Sequence, residues 1–197
     1  MSGLALPKLA ASRLDEVASR LDLPPPAAEA VAECEEVPAA LLRLVQDGFM
    51  VEASRLVAHA LPKREAVWWA CMCALHTAPE TLPPADLAAR EAAEMWVRKQ
   101  TDALRRQAME QAQVAGFATP EAWAAVGAFW SGDSMSPLGQ PVVPPAPHLA
   151  GTAVAGAIAL AAVRARPERQ KARLVRFLES ARDIAAGGSG RLPPEEE

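Results

Sequence analysis

Apolar positions along this chain repeat at helical spacing, and prolines and glycines mark where each run starts and stops. Leu14, Val17, Ala18 and Leu21 fall on one face of a helix over 12–21, with Ser12 placed as its N-cap. Pro24, Pro25 and Pro26 stop that run, and a short helix follows over 27–34. The next covers 37–46 and closes near Gly48, where glycine suits the left-handed residue that ends a helix. An amphipathic run over 49–60 then reaches Leu61 and Pro62.

The stretch 61–76, LPKREAVWWACMCALH, is the densest in large apolar groups. From Ala66 to Leu75 every residue is apolar or a thiol, and a helix apolar all round is surrounded by protein or by lipid. The run is about ten residues, against roughly 20 needed to cross a bilayer. It therefore predicts a central helix with neighbours on several sides. Trp68 and Trp69 project about 100° apart on such a helix, so they pack against different partners, each with an acceptor for its indole N–H.

After Pro79 the pattern continues. Pro83 and Pro84 open a helix to about Lys99 whose stripe of Ala85, Ala89, Ala92 and Trp96 is narrow enough for close approach. Thr101 caps the next, which carries Leu104, Ala108, Ala112 and Ala115 and ends at Gly116. Thr119–Pro120–Glu121 is a strong start signal for 120–130: a capping hydroxyl, a proline at the first helical position, then an acid. A small-residue helix over 148–163 and an amphipathic one over 168–185, with Leu174, Phe177, Leu178, Ala181 and Ile184 inward, complete the set.

These runs predict an all-α fold, an irregular bundle of eight or nine helices in one domain. Residues 1–36 form an N-terminal helical arm, 37–186 the bundle core, and 187–197 a flexible Gly/Pro/Glu tail. No consensus recurs at the spacing of known helical repeats.

Composition agrees. Ala, Leu, Glu and Arg dominate, and tyrosine is absent. The net charge of −4 argues against nucleic acid as a partner. The stretch 1–12 lacks a basic region followed by a long apolar one, so no secretory signal is expected. Three cysteines, two of them inside the central helix, point to reduced thiols and a cytoplasmic location.

Candidate chemistry is sparse. Cys71 and Cys73 are two apart and face nearly opposite ways on a helix, so they do not share a metal, and they read as structural thiols. Glu91 and Glu94 share a helix face but read as solvated. Ser131, Ser134 and Ser136 have no Gly-x-Ser-x-Gly elbow around them. No catalytic residue, metal site or cofactor is expected, and the chain reads as a non-enzyme.

Two surfaces stand out. Residues 131–147, SGDSMSPLGQPVVPPAP, hold five prolines and follow Phe129 and Trp130 directly, with His148 after them. Such a loop either presents a binding face, with Phe129, Trp130, Met135, Leu138 and His148 as its residues, or lies as a lid over Trp130. The second surface is the basic last helix with Arg169, Arg173 and Arg176. Residues 164–182 carry seven basic and two acidic side chains, a balance of +5 that leaves −9 elsewhere. That asymmetry suits an acidic partner, and it also suits an ordinary solvated face.

LPKREAVWWACMCAL, AAEMWVRK, GFATPEAWAAVGAFWSG and PHLAGTAVAGAI together resemble a family of uncharacterised bacterial proteins associated with type VI secretion gene neighbourhoods. The resemblance covers roughly 56–184 and is weakest at Arg98–Lys99–Gln100 and in the amino-terminal third. It implies an accessory, adaptor or chaperone-like role toward a secretion-machinery component or effector, and it carries no catalytic residue. The expected function is a protein–protein interaction module. The alternative is a small ligand-binding or enzymatic bundle with a pocket beside Trp68 and Trp69, using Glu91 or Glu94.

Overall fold

A computed structural model of the chain describes residues 6–196. Residues 1–5, part of the stretch inspected for a signal, and Glu197 of the tail lie outside the described residues. Ten α-helices and one 3-10 turn occur among the described residues, with a single isolated β-bridge and no strand. In order they are α1 (Asp15–Ala18), α2 (Pro25–Val31), α3 (Val37–Gln46), α4 (Met50–Ala60), α5 (Lys63–His76), α6 (Pro84–Lys99), α7 (Asp102–Ala115), α8 (Pro120–Trp130), α9 (Leu149–Val163) and α10 (Gln170–Ala186). The 3-10 turn, Pro167–Arg169, joins the last two. The all-α class is as expected.

Local signals account for most boundaries. The Thr101 hydroxyl accepts from the Leu104 N–H and the Thr119 hydroxyl from the Ala122 N–H, each at 3.3 Å. Gly116 closes α7 with a φ of 78° and Gly187 closes α10 with a φ of 104°. The amino-terminal helix is shorter than expected. Val37 donates to the Ser12 carbonyl and Leu14 to the Glu35 carbonyl, both at 2.8 Å, so 12–14 pair with 35–37 and only one turn of helix remains. Pro25 and Pro26 begin α2 instead of only ending what precedes it, since their missing N–H groups fall in the first turn.

Helix α5 is the centre. It packs against α6, α8, α9 and α10, and Val67, Trp69, Ala70, Cys71 and Cys73 are fully buried. The two tryptophans diverge as their spacing dictates. Trp69 donates to the Phe177 carbonyl of α10 at 2.8 Å, and Trp68 to the Ser189 carbonyl at 2.7 Å. Helices α5, α8 and α9 approach one another closely. A Cβ on Gly127 of α8 would stand 3.3 Å from Val154 Cγ2 and 3.5 Å from Val67 Cγ2, so the three helices leave room there for little more than a methyl group. The alanines opposite, Ala153, Ala157 and Ala161, are fully buried. The amino-terminal segment shares this core: Val17, Leu21 and Ala27 are fully buried within the same cluster.

Candidate interaction surface

The proline-rich loop is an ordered loop, not a slack one. Arg105 on α7 has its side chain almost wholly buried; its Nη1 donates to the Phe129 carbonyl at 2.9 Å, and its guanidinium lies 4.8 Å above the Phe129 ring. Arg106, one residue on, donates to the Ser136 carbonyl at 2.7 Å. Asp102 in the first turn of α7 accepts from both arginines, and the Arg106 and Arg105 hydrogen bonds hold its carboxyl below the usual range. Lys63 adds a long contact to the Ser131 carbonyl, 3.4 Å.

Within the loop the Ser134 hydroxyl accepts from the N–H groups of Ser136 and Val143, each at 3.1 Å, and Met135 donates to the Val143 carbonyl at 2.7 Å. Residues 134–143 are thus closed on themselves, with a turn between Pro137 and Gln140 in which Gly139 takes a φ of 81°. Leu138 is 77% exposed and Val142 71%. A loop serving as a lid would turn such side chains inward; this one is fixed at its base and presents them to solvent.

The expected loop residues divide accordingly. Phe129 is buried beneath Arg105; Trp130 is half-buried, edge-on to Trp123 with ring centres 6.3 Å apart; Met135 is half-buried; Leu138 and His148 are exposed. Sequence reasoning missed Val142 and Val143, and it missed the anchors Arg105 and Arg106. The motif Asp102–x–x–Arg105–Arg106 at helical spacing, one residue after a capping threonine, is the signal that was there to use.

The basic helix is less open than its composition suggests. Arg173 is 4% exposed, donates to the Ala162 and Arg164 carbonyls at 3.2 and 2.6 Å, and grips Glu195 with Nη2 to Oε2 at 2.6 Å. Arg169 lies 3.6 Å from the same carboxylate and donates to the Glu196 carbonyl at 3.0 Å. Arg173, followed by Arg169 and His76, holds the Glu195 carboxyl below its ordinary value. Arg176 is the exposed member, 3.9 Å from Glu179. Arg164 is also engaged: it pairs with the fully buried Glu121 and donates to the Ala74 carbonyl, closing the carboxyl end of α5.

Residues 40–185 match the model of a family of unknown function, DUF6931. The chain belongs to the DUF6931 family. No curated protein and no solved structure matches it. The DUF6931 match takes in the loop, its arginine anchors and the basic helix, while α1, α2 and residues 187–196 lie outside it.

Those last residues are not a free tail. Gly190 donates to Asp183 Oδ2 at 2.8 Å, the Ser180 hydroxyl donates to the Gly190 carbonyl at 2.5 Å, and Glu195 donates to the His76 carbonyl at 2.7 Å. A flexible end was the expectation for this stretch; the structure gives it these contacts.

The remaining candidates of this DUF6931 chain sit apart from both surfaces. Burial raises the thiol pKa values of Cys71 and Cys73, which keeps both protonated. Glu94 lies between Arg90 at 3.2 Å and Arg98 at 3.7 Å, and Glu91 is exposed. Trp69 is fully buried within the core cluster. His59 on α4 is buried against Gly151 and drops to a pKa of about 4, chiefly through burial and then through Arg20, His148 and Arg55. Among the described residues no single helix is long and apolar enough to cross a membrane, and no group of three metal-binding side chains gathers.

Proposed function

We propose that this DUF6931 chain is a non-enzymatic protein–protein interaction module whose docking face is the loop over residues 131–147. One observation carries the reading: the loop is clamped at its base by Arg105 and Arg106 while Leu138, Val142 and Val143 face solvent on a closed turn. Apolar side chains held in one conformation lose little entropy on binding, which is how a preorganised face gains affinity. Trp130 and Met135, half-buried beside the turn, extend the apolar area. The partner is another protein. Nucleic acid is disfavoured by the net charge of −4, and no cofactor enters the reading.

The resemblance to proteins of type VI secretion neighbourhoods supports reading this module as a cytoplasmic accessory, adaptor or chaperone-like component that engages a secretion-machinery protein or an effector. The test is a photo-crosslinking amino acid installed at Leu138 in the producing cell, with the exposed Leu42 of α3 as control. The reading expects a discrete adduct with one other protein from position 138 and none from 42. Identical adduct patterns from the two positions would contradict it.

A further inference from the structure

The chain's own acidic end lies on a surface built to hold a carboxylate. Residues 192–196 dock against the carboxyl end of α5, with His76, and the first half of α10, with Ala172, Arg173 and Arg176, and together with them line an open cleft of about 310 Å³. Arg173 is the recognition group. Its Nη1 is fixed by the Ala162 and Arg164 carbonyls, which leaves Nε and Nη2 as a fork toward Glu195 at 3.1 and 2.6 Å. A planar guanidinium held this way selects a carboxylate by geometry as well as by charge. The peptide backbone is read separately: His76 accepts from the Glu195 N–H through its carbonyl, and its ring Nδ1 meets the Pro193 carbonyl.

Two observations and one physical argument support this site taking more than the tail. Arg176 lines the cleft, is 70% exposed and, among the described residues, pairs with Glu179 at 3.9 Å and with no acid of the tail. Positive charge is therefore left over beside the docked peptide. His76, Arg169, Arg173 and Arg176 all lie within the stretch that the family model covers, whereas the segment docked against them lies beyond it. Finally, a buried guanidinium without a carboxylate is strongly disfavoured, so whatever displaces the tail must bring an acid of its own.

We propose that the His76/Arg173/Arg176 surface is a recognition site for an acidic, proline-led extended segment of another protein, and that residues 192–196 dock there as a tethered stand-in. This surface is separate from the loop and does not rest on the reading of the loop. The tether, Gly187–Gly188–Ser189–Gly190, gives the tail an effective concentration in the range of about 1 mM that a partner with more acids, reaching Arg176, would have to exceed.

The experiment uses the full chain and a fluorescent acetyl-LPPEEE peptide, with LPPQQQ as its neutral counterpart. Glu195→Ala should release the tail and raise affinity for the acidic peptide at least tenfold over the unaltered chain. Arg176→Ala added to it should take back several-fold of that gain. In the unaltered chain, saturating acidic peptide should speed tryptic cleavage after the exposed Arg191, a readout that does not depend on how well the variant folds. The proposal is overturned if the acidic peptide neither binds Glu195→Ala nor speeds cleavage at millimolar concentration. Equal binding of LPPQQQ would overturn it too, as would a dimer exchanging tails between copies in which added peptide displaces nothing.

Discussion

The Arg105 guanidinium both donates to the Phe129 carbonyl at 2.9 Å and covers the same residue's ring at 4.8 Å, joining the start of α7 to the end of α8 where the proline-rich loop departs. A buried charged side chain in the first turn of amphipathic α7 thus fixes the base of the exposed turn. Replacing Arg105 by alanine leaves the Phe129 carbonyl without its donor and removes the stem packing. The expected cost is about 2–3 kcal/mol in urea-induced unfolding. Amide exchange at Met135 and Val143 should accelerate more than exchange in α9.

Leu138→Asp separates binding from folding. Leu138 is 77% exposed, so the substitution should change stability by no more than about 0.5 kcal/mol. The same change should abolish partner recovery. A variant that loses both stability and partner would place Leu138 in the fold instead of on its surface.

Gly127 tests the three-helix contact. Alanine there gains helix propensity of about 0.8–1 kcal/mol but must push Val154 by a few tenths of an ångström, so Gly127→Ala should come out near neutral. Gly127→Leu adds volume where Val67, Val154 and Ala153 already close the space, and should cost about 1–3 kcal/mol or more in thermal or urea unfolding.

His59 gives the fold an acid-side weakness. Its pKa is about 4 in the folded chain against 6.5 ordinarily, so between those values the unfolded chain binds the additional proton. Its contribution is complete above pH 6.5 and is lost as pH falls toward 4, by an amount on the order of 2–3 kcal/mol. Arg20, Arg55 and His148 face the same ring and add their repulsion to the charged form. Urea midpoints of the unaltered chain between pH 7 and 4.5 should fall more steeply than those of His59→Gln.

Much of the fold was legible because its determinants are local. Thr101, Thr119 and Gly116 announce their helix ends within four residues, and the unbroken apolar run of α5 announces its burial. What escaped depends on distant pairing. Glu195 reads as part of a solvated acidic end, and nothing within the tail reveals that Arg173, 22 positions earlier, takes it up. Glu121 reads as a first-turn acid and is one, but its full burial depends on Arg164 arriving from the end of α9. The +5 balance of 164–182 counted arginines without their acids, and Arg164, Arg169 and Arg173 are all engaged. Ser12–Leu21 carried a correct apolar period, but its first residues pair with 35–37 across the chain.

The central claim is that residues 131–147 present a docking face. It is tested most directly by quantitative co-purification from the producing cells, comparing the unaltered chain with the Leu138→Asp, Val142→Asp double variant at matched thermal stability. The account predicts a near-stoichiometric protein partner with the former and a loss of at least tenfold with the latter. Recovery of the same partner in the same amount from both would contradict it.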